Sequence, residues 1–335
     1  MKVTVKSVVK YLAMLILAGV LLYFAFKGLK WNDFVEGLKS CNFWWILASM
    51  GTGIIAIILR GLRWRLMMLP LNKSITNRES YDAYAICYLS NLALPRSGEL
   101  VRCGIIAKTG KATFEGVLGT VVLERSWDLF VSCIIIFVMV FFTRFGTFLV
   151  DKMWTPLMKN LHFNAIWLVV LLVVLIFIIY YVLKKNKSKV EKTKLGSKVM
   201  KFWRGLVCGV KAGFKMKKKG YFFIYTILIW GCYWMTSLFT INAFPSVQGL
   251  DLMDALFLMI VGSFGWLIPV QGGFGAYHFI VSMTLLPVYG IAQTTGVIFA
   301  TISHESQIVI MIVCGLMSLL SFSLYNKKNL KQSVK

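Results

Sequence analysis

The chain has 335 residues, of which 58% are hydrophobic and only 15% charged, with a mean hydropathy of +0.74. A soluble fold of this length carries about a quarter charged residues, so a water-soluble globular protein is excluded. The net charge of +24 does not point to nucleic acid, because its lysines lie between apolar blocks, where the positive-inside rule puts them. Seven cysteines without CxxC or CxxH spacing read as small packing residues and give neither a disulfide framework nor a metal site.

In chain order, Lys2, Lys6 and Lys10 precede an apolar stretch with no small-x-small cleavage site, which predicts a retained first span over residues 8–26. Residues 27–42, with Trp31, Phe34, Val35 and Leu38 on one side, read as a short amphipathic link at the interface. Further spans of about the 20 residues needed to cross hydrocarbon are expected at 43–60, 122–143, 163–183, 221–244 and 293–324. Phe43, Trp44 and Trp45 suit the head-group level, and Arg60, Arg63 and Arg65 are expected to close the second span.

Residues 184–219 carry fourteen lysines and arginines against Glu191 alone, which predicts a basic cytosolic loop facing anionic lipid head groups. Its Val199, Met200, Phe202, Trp203, Leu206 and Phe214 also allow a basic helix lying on the membrane surface. Both termini are expected in the cytosol of an inner (cytoplasmic-type) membrane.

Two stretches resist reading as plain spans. Residues 81–108 break at Leu94-Pro95-Arg96-Ser97-Gly98-Glu99, and residues 252–290 break at Pro269-Val270-Gln271-Gly272-Gly273-Phe274-Gly275. Backbone freed by such breaks is tolerated in a membrane only where protein or a wet cavity covers it. The expectation is therefore an all-α polytopic membrane fold, with about six full spans and two re-entrant broken hairpins. The single membrane domain 1–335 then divides into halves 1–161 and 162–335, each with three crossings and one broken hairpin, as in an inverted repeat.

The densest polar cluster is Asn91, Arg96, Glu99 and Arg102, followed by Glu124, Arg125 and Asp128. Glu124 and Asp128 share a helix face, from which Arg125 is offset by about 100°. Charges inside a bilayer need partners, and Arg96 and Arg102 are the expected counter-ions for the two acids or for a phosphate. Structural ion pairing and substrate binding both fit these residues. In the second half, Gly272, Gly273 and Gly275 allow close backbone approach at a helix start, beside Tyr277, His278, His304, Glu305 and Gln307. His304 and Glu305 are neighbours on one helix, so at most one is expected to face the opposite hairpin. No HExxH, DxD or P-loop spacing is present, and no metal or cofactor is expected.

Asn91-x-x-x-Pro95-Arg96-x-Gly98-Glu99-x-x-Arg102 with Leu123-Glu124-Arg125-x-x-Asp128, and Pro269-x-x-Gly272-Gly273-x-Gly275, resemble the integral-membrane, flippase-like region of lysylphosphatidylglycerol synthases. That family usually has a second proline where Gln271 stands and a glutamate where His278 stands. The resemblance implies paired re-entrant elements and movement of a membrane phospholipid or polyprenyl-linked lipid between leaflets. It does not imply lysyl transfer, because that activity lies in a separate soluble domain of the synthases, outside the motifs that carry the resemblance. A membrane-embedded transferase and an accessory scaffold are the alternatives, and the oligomeric state stays open.

Overall fold

The computed structural model describes residues 5–142, 194–247 and 249–333. Eleven α-helices are described within them: α1 Val5–Phe26, α2 Trp31–Lys39, α3 Phe43–Met68, α4 Asn77–Ala93, α5 Gly98–Lys108, α6 Phe114–Phe142, α7 Lys194–Phe214, α8 Lys219–Ala243, α9 Leu252–Leu267, α10 Ala276–Tyr289 and α11 Gln293–Ser333. The expected span at 163–183 and the loop around it lie outside the described residues.

Helices α3 and α8, and residues Gln293–Leu324 of α11, are long and apolar enough to cross a membrane. A fourth counts among the described residues only where Leu12–Phe26 and α2, which meet at a bend of 83°, are taken together as one span. That bend, together with the burial of Phe34 and exposure of Trp31, fits the amphipathic link read from the sequence. Asn42 starts α3 by accepting a hydrogen bond from Trp44 N–H at 3.1 Å, and Trp44 behind it is 80% exposed, as a head-group anchor requires.

Two boundaries differ from the sequence reading for one reason. Helix α3 does not close at Arg60 but continues to Met68, and α6 begins at Phe114 rather than 122. The added turns bring the buried Trp64 of α3 against the buried Thr120 of α6, where Trp64 Nε1–H donates to Thr120 Oγ1 at 3.0 Å. Hydropathy ends a span at a charge, whereas a helix continues wherever the charge finds a partner.

Small and hydroxylic residues set the helix contacts, because lipid tails leave little hydrophobic force to join helices. Helix α3 packs along α8, where Ser49 Oγ donates to the Thr236 carbonyl at 3.1 Å and the Thr52 and Thr236 hydroxyls pair at 2.8 Å. Part of the 184–219 segment, read as a loop or surface helix, forms α7. It packs on α6 through Gly205, Gly209 and Gly213, one turn apart. A Cβ at Gly209 would run into the Gly116 carbonyl and the Gly119 Cα.

The two broken stretches form two helical hairpins. At about 1.5 Å per residue, α4, α5, α9 and α10 reach roughly 17–26 Å each, short of the ~30 Å hydrocarbon thickness. Arms α4 and α5 pack on each other, as do α9 and α10, and both hairpins lean on α11 or α3. In the second hairpin Gly262 and Gly265 of α9 leave room for Tyr277 of α10.

Gly209→Ala is expected to destabilise the protein by about 1–3 kcal/mol through overpacking. Gly231→Ala, on the open side of α8, should be neutral or stabilising by up to about 1 kcal/mol. Thermal unfolding in detergent, followed by size-exclusion fluorescence, distinguishes the two.

Candidate functional site

The charges in α6 are neutralised mainly by α3. Arg63 reaches Asp128 Oδ1 at 2.7 Å and Glu124 Oε1 at 3.3 Å. Arg60 reaches Asp128 Oδ2 at 3.1 Å and lies 3.8 Å from Glu124 Oε1. The i,i+3 spacing of the arginines matches the i,i+4 spacing of the acids, so two facing helices interlock by charge. Tyr84 of α4 donates to Glu124 Oε1 at 2.9 Å and accepts from Arg60 at 2.8 Å. Tyr233 of α8 accepts from Arg60 Nε, and Thr226 accepts from Arg63 at 3.3 Å. Arg60, Arg63, Arg102, Glu124 and Asp128 are all buried.

Arg102 completes the cluster from α5. Its guanidinium lies 4.6 Å from the centre of the Trp64 ring and 4.5 Å from that of Tyr84, a favourable cation–π sandwich. It sits 2.8 Å from Glu124 Oε2, yet neither Nε, Nη1 nor Nη2 has an acceptor in hydrogen-bonding geometry. The pair is thus held by charge rather than by the bidentate fork that arginine usually makes with a carboxylate. Three arginines oppose two carboxylates in this buried group, leaving one positive charge in excess.

Of the expected counter-ions, Arg102 meets Glu124, but Arg96 meets neither acid. Arg96 is exposed at the first break with φ 59°, a left-handed conformation that costs a residue with a Cβ roughly 1–2 kcal/mol. From there it donates to the Leu267 carbonyl at the end of α9, at 2.5 Å. Asn91 holds the same break by accepting from Gly98 N–H at 2.8 Å. A Cβ on Gly98 would strike the Cys87 carbonyl, so the return of the chain along α4 demands glycine. Arg125, offset from the buried face as its position implies, pairs with Glu99 at 2.8 Å in a partly exposed bridge.

The second break comes to the first. Helix α4 contacts the turn Gln271–Gly273, and Leu92 lies against Gly272. Gly272, Gly273 and Gly275 have φ of 54°, 78° and 75°, and Gly275 also abuts the Ala18 carbonyl of α1. His278, His304 and Glu305 meet beneath this turn: His304 Nε2 is 2.8 Å from the Gly272 carbonyl and Nδ1 is 3.0 Å from Glu305 Oε1. The same oxygen lies 3.5 Å from His278 Nε2. Both His304 and Glu305 therefore face the hairpin, against the expectation of one, because the glutamate side chain folds back beside its neighbour's ring.

Arg60, Arg63, Tyr84 and Tyr233 are participants that the sequence reading did not assign. For the arginines a signal existed: their i,i+3 spacing at the end of an apolar run matches the face of Glu124 and Asp128. It was absorbed by the positive-inside interpretation. The tyrosines, scattered among thirteen in the chain, offered none.

Glu124→Gln is expected to cost about 3–5 kcal/mol, since it leaves Arg102 and Arg63 buried with an uncompensated charge; urea or thermal unfolding in detergent measures it. Arg96→Gly should behave oppositely, relieving about 1 kcal/mol of backbone strain while removing the bond to Leu267. Protein stability should hold or rise as the α9 end becomes more accessible to hydrogen exchange.

No curated protein and no solved structure matches the chain significantly. The family model described as the lysylphosphatidylglycerol synthase TM region matches residues 11–315. That match takes in both breaks and the whole described charge cluster, and with the apolar helices it places the protein in a membrane. The chain belongs to the lysylphosphatidylglycerol synthase transmembrane-region family.

Proposed function

We propose that the protein is a lipid translocase that moves an anionic phospholipid or a polyprenyl-phosphate-linked lipid between leaflets. The supporting observation is the buried excess of positive charge around Arg102, whose guanidinium lies 2.8 Å from one Glu124 oxygen with no acceptor in hydrogen-bonding geometry, at the root of a broken hairpin. A phosphate supplies both the missing charge and the missing acceptors.

In this reading Arg125, Glu99 and Arg96 form the entrance. The Arg125–Glu99 bridge is partly exposed, and exposed bridges contribute only about 0–1 kcal/mol, so a head group can displace the carboxylate and take over the arginine. Arg102 then attracts the phosphate inward, while Glu124 and Asp128 keep Arg60 and Arg63 fixed. Asn91 shapes the first wall of the path, and Gly272, Gly273, Gly275 and His278 shape the opposite wall. The two halves, 1–161 and 162–335, are read as inverted repeats whose breaks together form the passage.

The orientation belongs to the same proposal. Both termini face the cytosol of an inner membrane, and the run Lys215, Lys217, Lys218 and Lys219 touches its anionic head groups.

Reconstitution into vesicles bearing a fluorescent anionic lipid tests the proposal, with a membrane-impermeant quencher reading the outer leaflet. The wild-type chain should expose inner-leaflet lipid to the quencher, and Arg125→Gln should slow exposure by about tenfold, the equivalent of one charge-assisted hydrogen bond at about 1.4 kcal/mol. Quenching that stops at the outer-leaflet share for every anionic lipid would contradict it.

A further inference from the structure

His278, His304 and Glu305 come from two helices, α10 and α11, and play no part in the arginine cluster. Their ligand-capable atoms all lie within 4.8 Å of one another. His278 and His304 are 2% and 1% exposed, respectively. Phe274, Tyr277 and Trp266 wall the cluster: the His304 ring centre is 5.1 Å from those of Phe274 and Tyr277 and 5.0 Å from that of Trp266.

The hydrogen-bond pattern fixes which nitrogens are available. His304 Nε2 faces the Gly272 carbonyl at 2.8 Å. A carbonyl oxygen only accepts, so Nε2 carries the proton. In the neutral ring Nδ1 then presents a lone pair, and it points at Glu305 Oε1 from 3.0 Å. Two lone pairs at that distance repel, so something positive belongs between them. A proton on Nδ1 would satisfy this pair alone. His278, which turns Nε2 toward the same carboxylate oxygen from 3.5 Å, can carry its own proton there as a neutral ring, but its Nδ1 is then left without a partner. Charging the second ring as well would set two imidazolium ions side by side, with ring centres 5.1 Å apart.

A single divalent ion would draw all three groups to one centre. Zinc bonds to imidazole nitrogen and carboxylate oxygen at about 2.0–2.2 Å, which sets tetrahedral ligand–ligand edges of roughly 3.3–3.5 Å. Two of the three edges, the separations of 3.0 and 3.5 Å to Glu305 Oε1, bracket that range, and the third, between the two histidines, lies within 4.8 Å. The bond from His304 Nε2–H to a backbone carbonyl is the outer-sphere support that metal-bound histidines commonly have, orienting the ring and raising its basicity. Glu305 leaves 38% of its side chain uncovered by protein, so the ion has a route in and a reachable fourth position.

We infer that His278, His304 and Glu305 form a binding site for a zinc-type divalent transition-metal ion that fastens α11 to the second hairpin beneath the Gly272–Gly275 turn. This site goes beyond the lipid-transport reading and stands without it. Two imidazoles and one carboxylate suit Zn2+, and Co2+ serves as its spectroscopic substitute.

The test uses the full chain, purified in detergent through a tag other than polyhistidine, loaded with Zn2+ or Co2+ and then dialysed. Elemental analysis should find about one zinc per chain, cobalt should give the intense visible bands of a tetrahedral site, and zinc should raise the melting temperature. Glu305→Gln preserves the side chain's shape. It should lower zinc affinity by more than the roughly 10–100-fold that outer-sphere partners command and should abolish both the cobalt bands and the thermal shift. His278→Glu exchanges one ligand for another and should retain the metal. Should His304→Ala fail to fold for want of its bond to Gly272, Glu305→Gln still decides. Wild-type protein without stoichiometric metal, or a cobalt spectrum unchanged by Glu305→Gln, would overturn the site. Neither result depends on whether lipid moves.

Discussion

Hydrocarbon offers no hydrogen bonds, so every amide and every charge placed in it must be answered by the protein itself. That constraint organises the molecule. Each hairpin carries a break that leaves backbone groups unpaired, and each break is covered by the other. Arg96 crosses from the first break to the Leu267 carbonyl, and Leu92 closes on Gly272. The left-handed backbone of Arg96 is held because its side chain has a partner across the gap, which fits the general pattern that strain persists where surrounding contacts determine it.

The same constraint accounts for the ion network. Glu124 and Asp128 are tolerable in the middle of α6 because Arg60, Arg63 and Arg102 reach them from α3 and α5, with Tyr84 taking up a remaining lone pair. A buried network of this kind adds little net stability compared with apolar packing, but removing one member is costly. It therefore fixes the register of α3, α5 and α6 against one another. Upon that fixed frame the outer pair, Arg125 and Glu99, is partly exposed and exchangeable. The molecule thus separates a buried charge layer from a partly exposed one, the division on which the proposed handling of charged lipid rests.

Much of this was legible in the sequence. The two breaks announced themselves through Pro95, Gly98, Pro269 and the Gly272–Gly275 run, because glycine and proline act locally and leave a local trace. Asn91, Glu99, Arg102, Glu124 and Asp128 stood out as charges or amides within apolar runs. The choice of partner was not legible. Arg60 and Arg63 read as the end of a span because hydropathy treats a charge as a boundary, whereas helix α3 carries both onward into an ion pair. Arg96 looked like a carboxylate's partner and instead bonds a backbone carbonyl, an acceptor that every residue offers and no sequence pattern marks. The meeting of His278 with His304 and Glu305 depends on how α10 lies on α11, a tertiary fact with no local spacing to reveal it.

The account depends most on the contact between the two breaks. A chain carrying Arg96→Cys and Leu267→Cys, with the exposed Cys133 and Cys208 replaced by serine, can be treated in native membranes with a short bis-maleimide and digested for mass spectrometry. The account predicts a cross-linked peptide joining position 96 to position 267 within a single chain. Both cysteines reacting singly with maleimide while no such peptide forms would contradict it.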